Sequence, residues 1–200
     1  MTARAWLAAL PLVLACHSAR PEASPAATDS CSALSGRLPP TAAADGLAGE
    51  YRLHLTATAG PRSGAQVDGL LRLRPMDDSL RAPPPLLGIR DTTTRYPIAG
   101  SADLDPAAIG ATRTGDLGSL NPLAPGVLVI ERHPPRADAP AEILLRLGAE
   151  ANRRGVVRFD GGYFVLTIRR IADRGFAGSW ASGTTGPGAE GYFCAERTGP

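Results

Sequence analysis

The 200-residue sequence contains no lysine, and arginine supplies all 21 of its basic side chains. This absence excludes mechanisms that need a lysine amine, such as Schiff-base chemistry, a Walker A phosphate loop or a Ser–Lys dyad. The 19 acidic residues leave a formal net charge of only +2, whereas a nucleic-acid-binding domain generally carries a marked basic excess. The sequence therefore predicts no nucleic-acid partner.

The local motifs of metal and hydrolytic sites are also missing. His-Glu-x-x-His, Cys-x-x-Cys and Gly-x-Ser-x-Gly do not occur, so no zinc site or nucleophile elbow is indicated. Asp103, Asp105 and Asp116 could offer oxygens to calcium, but solvated carboxylates and turn caps are the simpler interpretation. A glycosidase carboxylate pair needs no local spacing and stays open. We predict a protein that is not an enzyme and uses no metal or cofactor.

No apolar run is long enough to span a membrane as a helix. The run from Trp6 to Ala15 has about ten residues, half of what a spanning helix needs. It follows Arg4 and ends at Val13-Leu14-Ala15-Cys16, which resembles the lipobox of bacterial lipoproteins. The resemblance implies that residues 1–15 are a removed signal peptide and that Cys16 is lipidated. An ordinary signal peptide followed by an incidental cysteine is the alternative.

The lipobox resemblance also implies a location. Acyl chains on Cys16 would anchor the chain stably in a membrane, which is therefore an expected partner. The next residue is His17 rather than Asp. In bacteria with two membranes, lipoprotein sorting then implies the outer membrane, with the protein facing the periplasm. We expect a lipid-anchored protein of the cell envelope.

Residues 16–45 are predicted to be a disordered tether, and residues 46–200 a single domain. From His17 to Ala44 the chain is rich in Ala, Ser, Pro and Thr, and its only large aliphatic residues are Leu34 and Leu38. Such a composition buries too little apolar surface to offset the entropy of ordering. The remaining 155 residues suffice for one hydrophobic core.

Cysteine is scarce, with two residues beyond the lipobox. Cys31 and Cys194 are predicted to form a disulfide in an oxidising envelope, which would tie the tether to the last strand. A reactive thiol or a bond to a partner chain is the alternative.

Period-two alternation of apolar and polar residues dominates the body of the chain. Residues 50–58 and 66–75 alternate in this way and are separated by the turn residues Gly60 to Gly64, which predicts a first hairpin. Further strands are predicted at residues 83–91, 95–104, 126–132 and 141–148. The second of these is assigned to a sheet edge because Pro97 cannot donate to a ladder.

The C-terminal third has the strongest strand signals. Asp160-Gly161-Gly162 separates two strand-like runs and predicts a tight hairpin. Seven of the nine aromatic residues beyond the signal peptide lie between Phe159 and Phe193, so the core is expected to be densest there. No segment keeps a helical period over three turns, which predicts an all-β fold.

About eight to ten antiparallel strands in meander order predict a small barrel or, alternatively, an immunoglobulin-like sandwich. Gly49-Glu50-Tyr51 resembles the Gly-x-Trp opening of lipocalin-like barrels, with tyrosine for tryptophan. Gly178-Ser179-Trp180 contains the motif itself, near the other end of the chain. Arg197 resembles the arginine that lipocalins pack near their closing strand. The resemblance to this calycin group implies a small barrel, although the usual C-terminal helix is not evident.

Two functions remain open. The first is binding of a small apolar or amphipathic ligand, with its acidic head group near Arg52, His54, Arg72 and Arg74 of the first hairpin and with Trp180 as a fifth candidate. An ordinary solvated face is the alternative for those four polar residues. The second function is docking on another envelope protein or on a second copy. A cavity of roughly 300 Å³ would favour the first, and an exposed apolar patch of several hundred Å² the second.

Overall fold

The computed structural model describes residues 36–82, 93–148, 162–184 and 188–199. Eight antiparallel strands follow one another around a closed barrel, and β8 pairs with β1. The all-β meander barrel predicted from the sequence is therefore confirmed, and the sandwich alternative is wrong. The strands are β1 (Gly49–Ala59), β2 (Gln66–Pro75), β3 (Thr94–Asp103), β4 (Val127–Arg132), β5 (Glu142–Leu147), β6 (Tyr163–Ala172), β7 (Gly175–Gly183) and β8 (Ala189–Arg197).

Helical structure among the described residues is limited to short segments. Helix α1 spans Asp78–Arg81, and single 3₁₀ turns occur at Asp45–Leu47 and Pro106–Ile109. None of these helices has the length and apolar character that crossing a bilayer requires.

The barrel interior is packed with side chains from every strand. In β1 the inward positions Tyr51, Leu53 and Leu55 are fully buried, while Glu50 before them and Arg52 between the first two are exposed. An eight-stranded barrel is only wide enough for side chains to fill it or for one small ligand. Large inward residues on the other strands include Leu71, Ile98, Val129, Leu145, Phe164, Trp180 and Phe193.

One end of the barrel is covered by residues 38–48, which we call the strap. Leu38, Ala44 and Leu47 of the strap belong to the main hydrophobic core. The structure differs here from the predicted tether, which was expected to stay disordered to residue 45. The segment is ordered because these side chains pack against the apolar barrel mouth and because its backbone forms hydrogen bonds with Glu131 and Arg197 of the barrel. The packed domain thus begins at or before Leu38.

The opposite end is covered by the long connection between β3 and β4. Ile109 and Leu117 from this loop join the core, and the Thr114 hydroxyl donates to the Leu147 carbonyl at 2.7 Å. Asp105 Oδ1 accepts from the backbone N–H of Ala107, and Asp116 Oδ1 accepts from that of Gly118. Both carboxylates act as turn caps, as the simpler interpretation of the sequence predicted.

The predicted strand at residues 95–104 is confirmed as β3, but it is not at an edge, because the closed barrel has none. The register between β3 and β4 shifts between Arg95 and Ile98. Proline is tolerated at such irregularities because no ladder hydrogen bond is required of it there. The predicted strand at residues 83–91 lies outside the described residues, as do Asp160 and Gly161 of the predicted hairpin.

Candidate functional site

Four of the five predicted ligand-binding residues lie on the outer face of the first hairpin. Arg52 and Arg74 are exposed, and His54 and Arg72 are half-buried. The His54 Nδ1 atom lies 2.6 Å from Asp68 Oδ1, and the Arg72 Nε atom lies 3.6 Å from Glu50 Oε1. Two of these side chains therefore face carboxylates of their own hairpin.

Trp180, the fifth candidate, lies inside the barrel and is 2% exposed. Its indole N–H donates to the Thr56 carbonyl at 3.1 Å, and its ring meets Phe164 edge-on at 5.7 Å between centroids. The barrel wall separates Trp180 from the four polar residues, so the structure does not bring the five together.

A shallow groove of about 700 Å³ borders Arg52 on the outer wall. Its lining includes the carboxylates of Asp68, Asp103 and Asp105 beside the exposed Leu70. Three acidic side chains around one arginine make this groove a poor place for an anionic head group.

Tyr51 and Arg197 meet at the strap end of the barrel. The guanidinium of Arg197 donates to the Tyr51 hydroxyl at 2.8 Å and lies 5.1 Å from the centroid of its ring. It also donates to the carbonyls of Ala48 and Gly46. Burial raises the pKa of Tyr51 although Arg197 opposes the shift, so the phenol keeps the proton that it donates to the Leu47 carbonyl. The pair joins the last strand to the strap.

Glu131 forms the most buried charged cluster among the described residues. Its side chain is 0% exposed, and its two oxygens accept from Arg95 Nε at 2.7 Å and Arg95 Nη2 at 3.0 Å. The Ala44 N–H of the strap donates to Oε2 at 2.6 Å, and His133 Nε2 lies 2.5 Å from Oε1. Arg95 also reaches Asp45 Oδ2 at 2.5 Å.

The electrostatics of this cluster favour an ionised Glu131. Burial alone would raise its pKa, but the hydrogen bonds from Arg95, Ala44 and His133 outweigh burial and hold the pKa below its usual range. The same pairing raises the pKa of Arg95. With donors on both oxygens, the carboxylate is a structural anchor for the strap.

A cleft of about 430 Å³ lies at the strap end, where β6, β7 and β8 run side by side. Its floor is formed by small side chains because Ala177 pairs with Cys194, and Ala172 with Gly175, at successive outward positions. The longer side chains of Arg170, Arg174, Glu196 and Arg197 stand around this floor.

One residue of the predicted disulfide lies in the described part of this region. Cys194 lines the cleft, whereas Cys31 lies outside the described residues, as does Cys16 of the lipobox. The Cys31–Cys194 bond and the lipidation of Cys16 therefore stay predictions.

The sequence analysis missed Glu131 and the cleft, for different reasons. Glu131 continues the inward period of Val127 and Val129 in β4, so extending the strand's own alternation would have found it. The cleft depends on the register of three strands, and no local pattern specifies it.

The sequence matches no protein-family profile and no curated protein. Two solved structures are similar in fold. EF1p2_mFAP2b bound to DFHBI is 9% identical, with 76% of this chain and 94% of that chain covered and a TM-score of 0.36. A redesigned beta barrel, mFAP1, bound to DFHBI is 14% identical, with 78% of this chain and 100% of that chain covered and a TM-score of 0.35. Similarity at this level carries no argument about function.

Proposed function

We propose that this chain is a lipid-anchored protein of the bacterial cell envelope whose barrel binds a small amphipathic molecule. The observation that supports this most directly is the cleft on β6, β7 and β8. Its volume of about 430 Å³ lies within the roughly 300–1,000 Å³ typical of small-ligand sites. The apolar floor suits a hydrocarbon chain, and the arginine side chains at its rim suit a polar head.

The proposed site is on the barrel wall rather than inside the barrel. Trp180, Phe164 and Phe193 fill the interior and are almost completely buried, and the strap and the β3–β4 loop cover its two ends. The wall site needs none of these elements to move. The cleft therefore replaces the site near Arg52 and Arg72 on the first hairpin that the sequence suggested.

The lipid anchor in this proposal is supported by the residues before and at Cys16. A relationship to the calycin barrels is a further part of the proposal. It is supported by the contact between Tyr51 and Arg197, the two residues in which the sequence resembles lipocalins at the first and last strands.

The cleft can be tested by filling it. We expect Ala172→Trp, which places an indole over the floor, to weaken binding of 1-decanol at least tenfold in calorimetry. Ala181→Trp is the matched control, since Ala181 faces outward on β7 near the other barrel end. The full-length protein is purified from its own cells and reconstituted in phosphatidylcholine nanodiscs. Empty nanodiscs serve as the blank. Equal binding by both variants, or no binding of decanol or decanoate by the unmodified protein, would overturn the proposal.

Docking on another envelope protein is the second candidate function. It is favoured by Leu120 and Leu123, which are 48% and 66% exposed in the β3–β4 connection, at the barrel end opposite the strap.

A further inference from the structure

Positive charge accumulates beside the cleft. Arg169, Arg170 and Arg174 lie within six residues at the β6–β7 hairpin, where Asp173 is the only acidic residue. The two residues before the strap bring a further arginine close, because Gly36 lies against the Arg169 carbonyl and Arg37 follows it.

Arg197 adds a charge that no described carboxylate balances. Its guanidinium donates to the carbonyls of Gly46 and Ala48 and to the hydroxyl of Tyr51, all of which are neutral acceptors. The side chain of Arg174 makes no ion pair with any residue in the described ranges. Of the residues that line the cleft, only Glu196 is acidic.

Some arginines elsewhere in the described barrel are paired with carboxylates. Arg95 is paired with Glu131 and Asp45, and Arg72 lies near Glu50. The cleft combines three cationic side chains with an apolar floor and a single carboxylate among its lining residues.

We infer that the ligand of this cleft is an anionic amphiphile, with a single hydrocarbon chain on the Ala172–Gly175 floor and a carboxylate or phosphate head at Arg174. This inference rests on the proposed function and narrows it. Arginine suits such a head because its guanidinium can donate two parallel hydrogen bonds to one oxyanion. Arg197 contributes only its positive charge to the cleft, because its N–H groups donate to the strap carbonyls of Gly46 and Ala48 and to the Tyr51 hydroxyl.

The head-group charge is tested with ligands of equal chain length. In the same nanodisc preparation, we expect decanoate to bind at least tenfold more tightly than 1-decanol and to weaken as salt is added. Arg174→Gln should reduce decanoate affinity about fivefold and leave decanol affinity unchanged. Arg136→Gln, at an exposed site in the β4–β5 loop, is the matched control and should change neither.

The outcomes separate this inference from the proposed function. If decanol binds and Ala172→Trp blocks it, but decanoate binds no more tightly, the function stands and the charge preference is wrong. If Arg174→Gln and Arg136→Gln behave alike, the assignment of Arg174 is wrong. Replacing phosphatidylcholine in the nanodisc with the anionic phosphatidylglycerol distinguishes the two possible sources of the natural ligand. A weaker affinity for decanoate, caused by competition from phosphatidylglycerol, identifies a bilayer lipid as the ligand. An unchanged affinity for decanoate identifies a free anionic amphiphile.

Discussion

Glu131 shows how one side chain connects the strap to the barrel. A buried carboxylate is tolerated only when donors replace the water that it has lost, and Arg95 and the Ala44 N–H are such donors. If one member of such a group is removed, the others remain buried without a partner, which costs more than the pair contributes.

We therefore expect Glu131→Gln to lower the free energy of unfolding by about 3–5 kcal/mol, measured by urea denaturation at pH 7. Glu142→Gln is the control. Glu142 is exposed on β5, where it lies 3.9 Å from Arg132, and surface pairs of this kind contribute at most about 1 kcal/mol.

The pH dependence of this effect follows from the lowered pKa of Glu131. A carboxyl group whose pKa is lower in the folded state stabilises the protein fully above its unfolded pKa of about 4.3. That stabilisation is lost as the pH falls through the folded pKa. The stability difference between the unmodified protein and Glu131→Gln should thus shrink below about pH 4. A difference that stays constant down to pH 2 would contradict the assignment.

The candidate residues illustrate what single positions in a sequence can predict. His54 and Arg72 were placed correctly on the polar face of a strand because alternation fixes the face. Alternation does not say whether that face meets a ligand, solvent or the neighbouring strand. The position of Trp180 inside the barrel follows from the phase of β7, in which Phe176 and Trp180 are both buried.

At the scale of elements, close approach between strands depends on glycine. Gly191 on β8 lies between Ala57 of β1 and Trp180 of β7 in the barrel register. A Cβ atom there would fall inside van der Waals contact with the Thr56 carbonyl oxygen and lie 2.8 Å from Trp180 Nε1. The hydrogen bond from the Trp180 indole to the Thr56 carbonyl therefore requires that residue 191 has no side chain.

We expect Gly191→Ala to destabilise the protein by about 3 kcal/mol, as added volume does in a packed core. Gly118→Ala is the control, because its Cβ would meet only Asp116 Oδ1 at an ordinary 3.5 Å. Thermal unfolding followed by circular dichroism measures both. A Gly191→Ala variant as stable as Gly118→Ala would show that the three strands accommodate the added methyl group without a loss of stability, which would contradict this prediction.

Elements were predictable where their signals are local. β1, β2, β4 and β5 lie within one residue of the ranges that alternation gave, since each pattern is contained in its own strand. The strap was not predictable in this way. Leu38 lies in a polar, proline-rich stretch, and its burial depends on an apolar mouth formed by residues far along the chain.

At the scale of the whole molecule, closure of the sheet gives every strand two neighbours. The barrel therefore has no edge strand of the kind that an open sheet presents to solvent. Closure also places the last strand beside the first, which brings Arg197 to Tyr51 and the strap. The floor of the cleft does not depend on this closure, since it combines outward residues of the consecutive strands β6, β7 and β8. Closure instead places Arg197 and the strap beside that floor.

The arrangement of strap and cleft bears on the proposed lipid anchor. The strap, which follows Cys16 in the chain, lies at the barrel end where the cleft opens. A lipid on Cys16 would therefore keep the cleft within the span of about 20 residues from the membrane surface, roughly 65 Å when fully extended. A ligand drawn from the bilayer or its surface would have a short path to Arg174.

The anchor itself is tested at Cys16. We expect Cys16→Ser to prevent lipidation and signal-peptide removal, so that labelled palmitate is no longer incorporated and a larger precursor accumulates. His17→Asp is a matched change that keeps the thiol. It should leave labelling intact and shift the protein towards the inner membrane in a two-membrane host, since the sorting rule of bacterial lipoproteins acts at that position. Labelled palmitate on the Cys16→Ser variant, or none on the unmodified protein, would contradict a lipid on this cysteine. The strap would then not connect the barrel to a lipid anchor, and the cleft would not be held near a membrane in this way.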